Sequence, residues 1–87
     1  MALPRPHEDV VYEQVGDDLV LVHLGTNEIF ALNPTAARFW ELLVQGASRE
    51  EIETRMLAEY AVSREELTQE IDGIIAQLRR QQMVRVA

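Results

Sequence analysis

Apolar positions alternate with polar ones in the first third of the chain and recur at helical spacing in the rest. VVYEQV (10–15) and LVLVHL (19–24) are rich in β-branched and aromatic residues, and GDD (16–18) between them is a hairpin signal. GTN (25–27) marks a second turn and EIFAL (28–32) a third strand. Three strands joined by short turns predict an antiparallel meander. Phe30 and Leu32 share one face of the third strand and are expected in the core, which leaves Ile29 and Ala31 on the other.

Asn33-Pro34 then switches the period. A residue before proline is driven into the β region, which is also the backbone an N-cap needs, and Asn is a favoured cap. Proline suits the first helical position. The third strand therefore passes into a helix without a loop. Ala36, Phe39, Trp40 and Leu43 form its apolar face, and Gly46 is placed to end it. SREEIE at 48 and SREELT at 63 read as two capping boxes, Ser48 with Glu51 and Ser63 with Glu66, so the partial repeat marks two helix starts. Val62 and Leu67 stand at the positions of a hydrophobic staple. The second helix is predicted from about 49 to 60, with Ile52, Met56, Leu57 and Tyr60 inward. The third runs from about 64 to 81, with Leu67, Ile71, Ile74, Ile75 and Leu78 inward. MVRVA at the end reads as a short extended piece. The order βββααα implies one α+β layer pair of winged-helix type, a three-stranded antiparallel sheet packed on three helices.

Length and composition narrow the picture. The 87 residues suffice for a single small domain, 10–87, preceded by a Pro-containing arm, 1–9, that reads as extended and mobile. There is no cysteine, so no disulfide or thiolate metal site supports the fold. The amino-terminal segment lacks the apolar core of a signal peptide, and no apolar run approaches the roughly 20 residues that span a bilayer. A soluble cytoplasmic protein is the plain expectation. The net charge is −7 and all eight basic residues are arginine. That balance disfavours nucleic acid and anionic membrane as partners, because both are bound through cationic side chains.

Catalytic constellations are missing from the pattern. His7 lies in the arm and His23 in a strand, with no spacing that gathers the three ligands a metal site needs. No Gly-rich phosphate loop occurs, and Ser48 and Ser63 are accounted for as caps. The pairs Glu50-Glu51 and Glu65-Glu66 occupy first helical turns, where the helix dipole favours negative charge. No cofactor and no catalysis are expected from this chain alone.

A binding role is better supported. The third strand is short, apolar and bounded by turns, and an open edge there would accept another chain as an added strand. The third helix presents Thr68, Asp72, Ile75 and Arg79 on one face, a pattern that suits a groove wall or a core margin. Gly73 interrupts this helix at a cost of about 1 kcal/mol relative to Ala. Close packing against the first helix is the expected reason, and room for a guest peptide the other. Arg79, Arg80 and Arg85 form a basic cluster near the end of the chain, suited to acidic peptide residues, to an enzyme, or to the helix dipole.

The stretch GTNEIFALNPTAARFWELLVQGASREEIETRML, followed by an acidic-capped last helix and the terminal Leu78…Met83-Val84, resembles the PqqD-like proteins. These include the precursor-peptide recognition elements of ribosomal peptide biosynthesis. The resemblance covers nearly all the chain beyond the arm. It implies a non-catalytic domain in which a leader peptide lies antiparallel to the third strand and packs against the third helix. Carried over by position, the edge is Glu28, Ile29, Phe30, Ala31 and Leu32. The helical wall is drawn from Leu67, Ile71, Asp72, Ile74, Ile75, Leu78 and Arg79. The free-standing form is most similar to the leader-binding subunit of a split lasso-peptide protease, whose partner is a separate cysteine protease of transglutaminase-like fold. A PQQ-type chaperone paired with a radical SAM enzyme is the alternative. A plain dimerisation domain, or a DNA-binding winged helix with the acidic SREELTQEID as its recognition helix, is the rival from other classes.

Overall fold

The computed structural model describes residues 3–86. In chain order they form β1 (Arg5–Pro6), β2 (Val10–Val15), β3 (Asp18–His23), β4 (Ile29–Leu32), α1 (Pro34–Val44), α2 (Arg49–Glu59), α3 (Arg64–Arg80) and β5 (Val84–Arg85). The expected meander is β2-β3-β4, antiparallel throughout, so β2 and β4 are its two edges. The β2–β3 hairpin turns on Gly16 and Asp17, with Gly16 at φ 61°, the first-position left-handed backbone that tight hairpins favour.

Register decides what faces the helices. Leu19 pairs with Leu32 and Leu21 with Phe30, and Tyr12 lies opposite Leu21 on β2. Leu19, Leu21 and Leu32 are buried and Phe30 packs on them, so Phe30 and Leu32 do face inward. Ile29 is 67% exposed on the opposite face. Helix α1 supplies the centre of the core with Phe39, Trp40 and Leu42, all fully buried. Ile52 and Met56 from α2, and Leu67, Ile71 and Leu78 from α3, close around it. Tyr12 meets Trp40 edge-on with ring centroids 6.0 Å apart. Trp40 Nε1 is buried with no hydrogen-bond partner among the described residues.

Local signals set the helix starts. Asn33, at ψ 170°, accepts the Ala36 N–H on Oδ1 at 2.9 Å and Pro34 follows it. Both serine capping boxes are formed in full: Ser48 Oγ accepts from Glu51 N and Ser63 Oγ from Glu66 N, and each glutamate accepts the cap's own N–H. Arg38 on α1 makes a bidentate pair with Glu59 on α2. Arg49 joins Glu53, Asp72 and the Thr68 carbonyl, which locks the start of α2 to α3.

Two features depart from the sequence reading. The arm is docked: β1 pairs antiparallel with β5, Pro4 is buried, and His7 N–H donates to the Met83 carbonyl. Proline limits donors but not burial, and the carboxy-terminal strand offers the acceptor edge that the arm needs. Gly73 is exposed, and a Cβ built on it meets nothing within 4 Å. Packing against α1 is therefore not the reason for this glycine.

Candidate functional site

The open edge of β4 is created by the backbone. His23 N–H donates to the Glu28 carbonyl at 2.9 Å, so residues 28, 30 and 32 direct their main-chain groups toward β3. By alternation, the N–H and C=O of Ile29 and Ala31 point away from β3. Among the described residues no strand pairs with them. Asn27, at φ 64°, ends the turn that aims the strand, and its N–H donates to His23 O. Gly25 is closely approached there: a Cβ would sit 3.0 Å from the His23 ring and 3.2 Å from Asp9 Oδ2, so a larger residue requires those side chains to shift.

The sequence-derived wall residues separate into three groups. Leu67, Ile71 and Leu78 are at most 1% exposed and belong to the core, which they stiffen from behind. Asp72, Ile75 and Arg79 lie together on one flank of α3. There they line a recess of about 160 Å³ with Leu3, Pro4 and Arg49, and no β4 residue lines it. The Asp72 carboxylate is held 2.8 Å from the Arg49 guanidinium. Ile74, nearly buried, falls on the other flank beside the exposed Glu70 and Gln77 by helical spacing. Of the edge residues, Glu28, Ile29 and Ala31 are exposed, Phe30 is half-buried and Leu32 is buried.

The sequence reading did not anticipate a second exposed apolar feature. Val11, Val22 and Ile29 form one row across the outer sheet face, and Val20 and Ala31 the next. Val11 and Val15 are about half exposed, and a shallow recess of about 300 Å³ opens between Val11, Val15, Val20 and Val22. Glu13 shares this face, and Asp17 and Asp18 stand at its hairpin end. Alternation was the available signal: the strands carry valines on both parities.

Among the described residues no cluster of His, Asp or Glu suits a metal ion, and no helix is long and apolar enough to cross a membrane. The displaced carboxyl groups belong to structural contacts. Hydrogen bonds from Arg38 hold Glu59 below the usual carboxylate range, and the Ser48 main chain does the same to Glu51. Arg85 lowers Glu8 across the β1–β5 clasp. None of these groups lines the β4 edge.

Solved structures with this architecture are close in shape. One, described as TbiB1 in complex with the TbiA(beta) leader peptide, superposes with a TM-score of 0.86 at 30% identity, over 92% of this chain and 93% of that one. Another, described as lasso peptide synthetase B1 complexed with the leader peptide, gives a TM-score of 0.84 at 23% identity, over 97% and 98%. The second likeness is one of fold. A comparison with curated protein sequences finds no significant match. Residues 18–84 match the profile of the family described as coenzyme PQQ synthesis protein D (PqqD), a span that holds the sheet edge and all three helices, and the chain belongs to that family.

Proposed function

We propose that the protein is a non-catalytic recognition module that captures the leader region of a ribosomally made precursor peptide as a strand added to β4. The observation that carries this is the outward-facing, unpartnered main chain of Ile29 and Ala31 on a protein whose 30%-identical structural relative holds a leader peptide. Glu28 to Leu32 form the pairing edge. Ile74 supplies the apolar support on one flank of α3 and Ile75 on the other, while Leu67, Ile71 and Leu78 keep that helix in place. Asp72 and Arg79 contribute from the flank of α3 that faces the arm.

The energetics are adequate. A few main-chain hydrogen bonds contribute roughly 0.5–1.5 kcal/mol each, and one or two buried leader side chains about 1.5–3 kcal/mol each. Ordering a disordered peptide removes several kcal/mol. The remainder corresponds to dissociation constants from about micromolar to tens of nanomolar.

The bound precursor is then delivered to a separate processing enzyme, a leader protease of transglutaminase-like fold in a lasso-peptide pathway. The outer sheet face is suited to that enzyme. It is apolar, it lies outside the peptide ladder, and it carries acidic neighbours that favour a basic-rimmed partner. The family description favours a second pathway, in which the same edge serves a PQQ-type precursor and a radical SAM enzyme. A lasso leader and a PQQ precursor peptide titrated side by side discriminate the two.

The direct test is fluorescence anisotropy of a labelled lasso-type leader peptide. Ile29→Pro removes an outward N–H and leaves the β3 ladder its donors. Saturable binding by the wild type, lost in Ile29→Pro with the circular dichroism unchanged, is the expected result. Undiminished binding by a folded Ile29→Pro protein excludes strand addition at β4.

A further inference from the structure

Two histidines that sit far apart in the sequence meet at the foot of the sheet, with ring centroids 4.4 Å apart. His7 Nδ1 accepts the Asp9 N–H at 3.0 Å. His23 Nδ1 accepts the N–H groups of Gly25 and Thr26 at 3.1 and 3.2 Å. A ring nitrogen that accepts carries no proton, so each neutral ring keeps its proton on Nε2 and presents a donor there. Both rings line a recess of about 480 Å³ between the β3–β4 turn and the end of α3, together with Thr26, Arg79 and Gln82.

The lining is rich in donors. Arg79 brings a guanidinium, and among the described residues it forms no ion pair, unlike Arg38, Arg49, Arg64 and Arg85. Asp9 is the one acidic residue in the lining. Its main chain is bonded to His7 and Leu24, and its carboxylate is the one negative charge in the lining that the Arg79 guanidinium has to outweigh. Gln82 is an independent indication. It follows α3 at φ 60°, a left-handed backbone that glycine adopts freely and glutamine does not. The chain places an amide side chain in the recess where the backbone alone favours glycine, and such strain gathers at functional positions.

We infer that this recess is a carboxylate subsite, which takes an Asp or Glu side chain of the bound peptide just downstream of the segment paired with β4. The inference rests on the peptide reading above. A peptide antiparallel to β4 leaves the pairing beside Ile29 and Glu28. The Glu28 N–H is bonded to Thr26 Oγ1, and Thr26 lines the recess. At about 3.3 Å per residue, a side chain two or three positions further on reaches it. With a net charge of −7, long-range repulsion works against an anionic ligand. Recognition of the acid therefore rests on direct contacts, led by a charge-assisted bond from Arg79.

The test has two arms. In the first, the ¹⁵N-labelled protein is titrated with N-acetyl-glutamate methylamide and with its glutamine counterpart. Shifts confined to Gly25, Thr26, Arg79 and Gln82 and produced only by the acid are expected, and their absence overturns the subsite whatever the leader does. In the second, leader peptides with single Asp→Asn or Glu→Gln replacements are compared on wild type, Arg79→Gln and Gln82→Gly. One acidic position is expected to favour the wild type about tenfold over its amide, with that preference lost in Arg79→Gln and reduced in Gln82→Gly. Gln82→Gly relieves the backbone, so its loss of preference does not arise from unfolding. Equal affinity for acid and amide at every position overturns the subsite and leaves strand addition at β4 standing. Failure of every leader to bind, alongside acid-specific shifts in the recess, removes the peptide reading and the downstream placement but not carboxylate binding.

Discussion

Gly73 faces solvent with free space where a methyl group would stand. It contributes no contact that alanine would lose, yet it lowers the helix propensity of α3 by about 1 kcal/mol. Gly73→Ala is therefore expected to stabilise the protein by up to that amount and to raise Tm by about 4–8 °C in differential scanning calorimetry. Leader affinity should be unchanged if the glycine has no part in binding; a marked loss would show that a guest peptide runs over this face. Asn33, Ser48 and Ser63 lie at the other extreme, since each has a defined bond to a helix N–H. Ser48→Ala is expected to cost about 1 kcal/mol by chemical denaturation. These single-residue roles were readable from the sequence for the caps, because a cap bonds within three residues of itself. They were not readable for Gly73, whose surroundings depend on where α3 is packed.

At the level of elements, the same logic separates the two faces of β4. That Phe30 and Leu32 share one face was legible from alternation, but that this face is the inner one was only the favoured choice, and the burial of Leu32 with Leu19 and Leu21 decides it. That the main chain of Ile29 and Ala31 points to the open edge was not legible. It follows from the His23–Glu28 bond, which fixes the phase of the ladder. Pro at Ala31 should therefore reproduce the effect of Pro at Ile29. Either change removes one outward donor and disturbs the outward ladder, which predicts at least a tenfold weaker leader in anisotropy titrations, with the sheet retained. Helix α3 taught a further lesson: periodicity found its apolar stripe but not which margin of the stripe is covered. Its Asp72 and Arg79 flank faces the arm and α2, a neighbourhood set by Arg49 at long range.

The whole molecule is held at its ends as well as at its core. The β1–β5 pair, buried Pro4 and the Glu8–Arg85 ion pair tie both termini together beneath the sheet. A variant lacking residues 1–6 is expected to lose Pro4 burial and the β1–β5 pairing, and to lower Tm by several degrees. An unchanged Tm would show that the arm adds nothing to the fold. Acid should act on the same scale. Glu8, Glu51 and Glu59 all have carboxyl groups held below their ordinary value of 4.5. A lowered folded-state value means that the unfolded chain binds more protons, so this stability is present above about pH 4.5 and is lost as pH falls through the folded values. Thermal melts between pH 7 and 3 should show the decline, with a shallower slope in Glu59→Gln.

The sequence by itself determined the order of the main elements, the helix starts and the apolar faces of the helices. All of these depend on period, capping and composition, which act over a few residues. Tertiary structure decided the docking of the arm, the phase of the open edge, the split of α3 into two flanks and the meeting of His7 with His23. Each of those joins groups distant along the chain, and their contact energies exist only once the core has fixed the elements in space.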